Sequence, residues 1–90
     1  MLHELKTWPW PFQAMKRGEK TFEIRKDDRG YAVGDTLHLR EWDPDTKEYS
    51  GDTLDRVVTY LVHGPAWKLP RDMVVMSVAP TPPAAEGGER

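Results

Sequence analysis

At 90 residues the chain has the length of one small domain, near the size at which a single hydrophobic core only just offsets the entropy of ordering the backbone. It contains no cysteine, which excludes disulfides and thiolate metal sites, and its formal net charge of -2 argues against non-specific gripping of long nucleic-acid backbones. No apolar run reaches membrane-spanning length and the first residues lack the basic-then-apolar order of a signal peptide, so a cytoplasmic protein is expected, and a monomer for so small and charged a chain.

Leu2 to Thr7 reads as a short first strand. Trp8-Pro9-Trp10-Pro11 interrupts it, and Phe12 to Arg17 predicts a brief helix with proline in its first turn, Phe12 and Met15 on one face, and Gly18 as its stop. Thr21 to Arg25 alternates, predicting a half-buried strand anchored by Phe22 and Ile24 with Thr21, Glu23 and Arg25 on the opposite, charged face. Asp27-Asp28-Arg29-Gly30 is a polar turn, and Val33-Gly34-Asp35 a tighter one that launches the next strand. Thr36 to Trp42 alternates Leu37 and Leu39 against His38, Arg40 and Trp42.

Asp43-Pro44-Asp45-Thr46-Lys47 has turn chemistry and Gly51 adds a bend. Leu54 to Val62 and Met73 to Val78 are β-prone, whereas His63 to Pro70 carries too many breakers to be regular throughout. Pro80 to Arg90 is rich in Pro, Ala, Gly and charge and is expected to be a disordered tail behind a domain spanning residues 1–79. The pattern predicts a mainly β, α+β domain: a single barrel of about five strands with one or two short helices.

Basic residues gather in the first third of the chain and acidic ones between Asp27 and Asp55, so one end is expected to be locally positive beside an acidic flank. That asymmetry fits a small ligand or single nucleotide better than a duplex. Lys20 and Glu23 form the first candidate pair. A lysine serves as base or nucleophile when burial or neighbouring cations favour its neutral form, and Lys6, Arg25 and Lys26 are candidate neighbours; the alternative is a structural network of Lys20, Glu23 and Arg25 fastening the helix end to the barrel. Arg25, Lys26 and Arg29 suit an anion, because guanidinium presents a planar fork. Trp10 and Trp42 are candidates to stack on a base beside Lys6 and Arg25, with Trp8 and Trp67 assigned to the core or to a lid. His3 is a candidate hydrogen-bonding group or general base. The three histidines lack metal-ligand spacing and no phosphate-cradling glycine loop occurs, so neither metal nor cofactor is expected.

Gly18, Lys20, Glu23 and Arg25 match the Gly-x-Lys-x-x-Glu-x-Arg signature of the ASCH domain, a branch of the PUA-like β-barrel superfamily. With His3-Glu4-Leu5-Lys6, Phe22 to Arg29, Gly34-Asp35, Glu41-Trp42-Asp43-Pro44 and Val74 to Val78, the chain resembles the small DUF3850 group from His3 to about Val78. The resemblance implies binding of RNA or modified nucleobases. In some ASCH members it implies hydrolysis of an acyl group from the exocyclic nitrogen of cytidine; there Lys20 falls on the catalytic lysine, and Glu23 stands where that branch has threonine. The candidate ligand-binding set is His3, Lys6, Lys20, Glu23, Arg25, Trp10 and Trp42, with Lys20 and Glu23 catalytic if the protein is an enzyme. A third expectation is a protein-interaction adaptor working through the acidic Asp43 to Asp55 region.

Overall fold

The computed structural model describes residues 1–81. Its strands are β1 (Leu2–Thr7), β2 (Phe22–Lys26), β3 (Thr36–Asp43), β4 (Glu48–His63) and β5 (Met73–Pro80), with helix α1 (Pro9–Lys16) after β1 and a single 3-10 turn at Ala66–Lys68. All five strands join one sheet in the order β1-β3-β4-β5-β2. β1 runs parallel to β3 and the other pairings are antiparallel. The sheet curls into a half-barrel, giving the mainly β fold with one helix that the sequence pattern predicts.

Alternation fills the core. His3, Leu5 and Thr7 of β1, Leu37 and Leu39 of β3, and Val74, Met76 and Val78 of β5 all point to the inner face, where Phe12 and Met15 of α1 and Val58 of β4 complete the packing. β4 is longer than its β-prone run predicts. Gly51 lies inside it with φ of 95°, beside the register shift between Arg40 and Trp42, so what reads as a bend is an irregularity within one bent strand.

The helix starts earlier than the sequence predicts, with Pro9 and Pro11 both in its first turn, where a missing N–H costs nothing because those donors have no partner inside the helix. Its end is a two-bond cap: the Gly18 N–H donates to the Met15 carbonyl at 3.0 Å and the Glu19 N–H to Ala14 at 2.9 Å. Gly18 takes φ of 83°, a conformation that disfavours any side chain. The Lys20 N–H joins the same Ala14 carbonyl at 3.1 Å, which fixes where the next strand departs.

β1 and β2 lie at opposite ends of the strand order, and the curl brings them face to face across an open seam. The Met1 carbonyl accepts from Thr36 N on the β3 side, so by alternation Leu2, Glu4 and Lys6 turn their peptide groups toward the open edge. On β2, the Thr21 carbonyl and the Asp27 N–H are used on the β5 side, which leaves Phe22, Ile24 and Lys26 facing the seam. Pro80, assigned by sequence to the tail, pairs with Arg56 at the end of β5; residues 82–90 of that expected tail lie outside the described residues.

Candidate ligand cleft

The seam holds a cleft of about 310 Å³ lined by the end of β1 (Lys6, Thr7), the helix entry (Trp8, Pro11), Lys20, and β2 from Phe22 to Arg25. Glu23 is at its centre. Its carboxylate takes the Lys20 ammonium on one oxygen and Arg25 Nε, at 2.9 Å, on the other. Arg25 then crosses the seam, donating to the Lys6 carbonyl and the Thr7 hydroxyl, each at 3.1 Å. Farther along, Arg29 Nη1 donates to the Glu4 carbonyl at 2.9 Å. Two guanidinium groups thus occupy alternate carbonyls of β1 where a neighbouring strand would otherwise bond. Side chains stand in for the missing ladder.

This geometry reverses the expected orientation of β2. Phe22 and Ile24, predicted as the buried anchors, are 42% and 53% exposed, and Glu23 is only 3% exposed. The physical reason is the pairing: a buried carboxylate is tolerated once each oxygen meets a cation, and both cations come from within three residues of it. With Glu23 and Arg25 turned inward, period-2 alternation puts Phe22 and Ile24 on the solvent-exposed side of the strand, where they line the outer part of the cleft and the Phe22 ring lies 5.1 Å from the Lys20 ammonium. Lys20, besides meeting Glu23, donates to the Phe22 carbonyl at 2.7 Å, so one of its three protons is left for the cleft.

The remaining candidates separate. Lys6 contributes to the cleft rim, but its ammonium lies 4.1 Å from the ring centre of Trp42, on the outer face of the sheet; Trp42 does not line the cleft. Trp10 is exposed and meets Trp8 edge-on, with ring centres 5.2 Å apart, one layer out from the lining. Trp8, assigned by sequence to core or lid, is 48% exposed and forms a wall of the cleft. Trp67, given the same assignment, is exposed on the 3-10 turn. Thr7, Trp8 and Pro11 carried no sequence signal for the cleft, because only the curl of the sheet brings the end of β1 against β2.

His3 is buried and does not line the cleft. Its Nε2 meets Asp35 Oδ2 at 2.9 Å, and the same carboxylate accepts from the N-terminal amine at 3.0 Å and from the Ala32 N–H at 3.0 Å. These contacts, the His3 hydrogen bond foremost, hold the Asp35 carboxyl down at about 2. A carboxyl depressed in the folded state adds stability that is present above its unfolded value of 3.8 and lost as pH falls through about 2. The amine partner is largely exposed and screened, so the loss is expected to be about 1–2 kcal/mol. Urea unfolding at pH 5 and pH 2 in parallel on Asp35→Asn, which should lack this part of the acid sensitivity, checks it.

A curled five-stranded half-barrel with a charged, aromatic-walled cleft along its open seam is the class of domain defined here. The family model for DUF3850, described as a domain of unknown function, matches residues 2–78, and the chain belongs to that family. It is also similar to an uncharacterized 12.9 kDa protein in the GpA 3′ region of Escherichia phage P2, 46% identical over 41 residues. That match spans 46% of this chain and 38% of the phage protein. No helix among the described residues is long and apolar enough to cross a membrane.

Proposed function

We propose that the domain is an ASCH-type, PUA-like binding module whose seam cleft holds a nucleotide or modified nucleobase of RNA, acting as a cytoplasmic monomer. The observation that carries this reading is the convergence in one cleft of flat apolar walls, Trp8 and Phe22, with two cations around a single buried carboxylate. A base needs an apolar face to lie on and donors for its ring acceptors, and the Lys20 ammonium and the strand-edge peptide groups of Ile24 supply polar partners beside those walls. The modest size of the cleft and the net charge of -2 favour one nucleotide over a long backbone.

The amidohydrolase reading shares the cleft and rests on the contact between Lys20 and Glu23. Both Glu23 oxygens are already engaged by cations, which leaves the carboxylate poorly placed to take a proton from water. The adaptor reading finds less support, since two of the acids in that region are already paired, Asp52 with Lys16 at 2.6 Å and Asp55 with His38 at 2.5 Å.

Titrating the protein with nucleosides, N4-acetylcytidine among them, while following amide NMR shifts tests the reading. Saturable shifts should cluster at Thr7, Trp8, Lys20 and Phe22 to Arg25 without turnover of the nucleoside. Trp8→Ala should weaken the binding about tenfold through lost stacking. A rising cytidine peak abolished by Lys20→Ala would replace the binding module by the enzyme, and silence across the panel would remove both.

A further inference from the structure

Beyond the Arg25 partition, the seam continues into a second hollow of about 140 Å³, lined by Leu5, Arg25, Lys26, Asp28, Arg29 and Tyr31. Arg25 borders both hollows. Where the first is walled by aromatic and aliphatic groups, this one gathers three cations against one carboxylate. Two of those cations are only loosely engaged by acids: Lys26 lies 3.9 Å from Asp72, and Arg29 Nε lies 3.8 Å from Asp28, both beyond hydrogen-bond distance. Arg29 is nevertheless fixed in place by its bond to the Glu4 carbonyl, which leaves the rest of its donor fork unassigned.

Tyr31 supplies the second, independent observation. Its residue surface is only 4% exposed, and its ring packs at 4.7 Å against His3, itself pinned by Asp35. Its hydroxyl makes no hydrogen bond among the described residues and is not one of their fully buried unpartnered atoms, so it is open to the hollow whose lining Tyr31 joins. Burial raises its pKa, with Arg29 and Arg25 acting the other way, so the phenol carries its proton at neutral pH. A phenol donor open to the hollow, beside guanidinium groups with donors to spare, suits an oxyanion.

We infer that the second hollow is a phosphate subsite, in which Arg29, Lys26 and the Tyr31 hydroxyl take the phosphate of a nucleotide whose base occupies the first hollow, with Arg25 between them. Naming the anion as a nucleotide's phosphate rests on the base-binding reading above. The cleft then prefers nucleotides to nucleosides, and the choice between a terminal monoester and an internal diester is set by whether the hollow admits a chain on both sides of the phosphorus.

The test is calorimetric and NMR titration of the full chain, at low and at 0.3 M salt, with four probes: inorganic phosphate, a nucleoside, its 5′-monophosphate, and the corresponding dinucleoside monophosphate. The monophosphate should bind about tenfold more tightly than the nucleoside. Arg29→Gln should bring that ratio near one. Because Arg29 also bonds to β1, Tyr31→Phe, which keeps the packed ring, serves as the second variant and should lower the ratio by a smaller step. A diester that binds as well as the monoester assigns the site to internal RNA phosphates; one that binds only as the nucleoside does assigns it to terminal ones. Nucleoside and nucleotide binding equally overturns the subsite and leaves the base reading intact. Inorganic phosphate shifting Arg29, Lys26 and Tyr31 with no nucleoside response upholds the anion site and removes the base reading. Silence to all four removes both.

Discussion

Glu23→Ala is expected to destabilise the domain by about 3 kcal/mol in urea unfolding, with an unchanged dependence on denaturant concentration. The carboxylate is buried and is the shared partner of Lys20 and Arg25. Its removal leaves two cations facing each other at the seam, and because both retain partial access to water the cost falls at the low end for a broken buried network. Glu23→Gln keeps the shape and one acceptor and should lose about half as much. A loss below about 0.5 kcal/mol for the alanine variant would mean that Glu23 does not hold the seam.

The second large effect belongs to Arg25. Arg25→Lys should cost about 2 kcal/mol despite preserving the charge, because an ammonium cannot reproduce a planar fork that engages Glu23, the Lys6 carbonyl and the Thr7 hydroxyl together. The loss should be local. Amide hydrogen exchange should accelerate at Leu5 and Thr7 on β1 and at Glu23 and Arg25 on β2, whose N–H groups bond within the sheet, while β3 and β4, paired on both sides, keep their protection. Uniform acceleration through all five strands would show that Arg25 supports the whole fold and does not specifically clasp the seam. Nucleoside binding should fall with it, since the cleft walls are the two strands that Arg25 ties together.

Strand placement was largely legible in the chain, because period-2 alternation and turn residues are local signals. Leu37 and Leu39 on β3, and Phe12 and Met15 on one face of the helix, are core residues in the structure as their patterns predict. The orientation of β2 was not legible. Phe22 and Ile24 outrank Glu23 in hydrophobicity, and nothing local records that the Glu23 carboxylate would find two cations inside a curled sheet. The helix entry lies three residues earlier than predicted: one proline was expected in the first turn, and the structure places both Pro9 and Pro11 there. In the cleft, Lys20, Glu23 and Arg25 were legible as a cluster because they lie within six residues. Thr7, Trp8 and Pro11 were not, since they meet that cluster only through a contact across the seam.

The sequence by itself determined a mainly β domain with one helix stopped at Gly18, and a charged strand segment at Lys20 to Arg25, since each of these rests on residue type and short-range spacing. The tertiary structure alone decided that β1 pairs in parallel with β3 and that β1 and β2 face each other as unpaired edges. It also decided that the charged side of β2 turns inward and that Trp42 stands outside the cleft while Trp8 forms its wall. These follow from the curl of the whole sheet, which sets partners more than a dozen residues apart in the chain and leaves no signature in any short window of it.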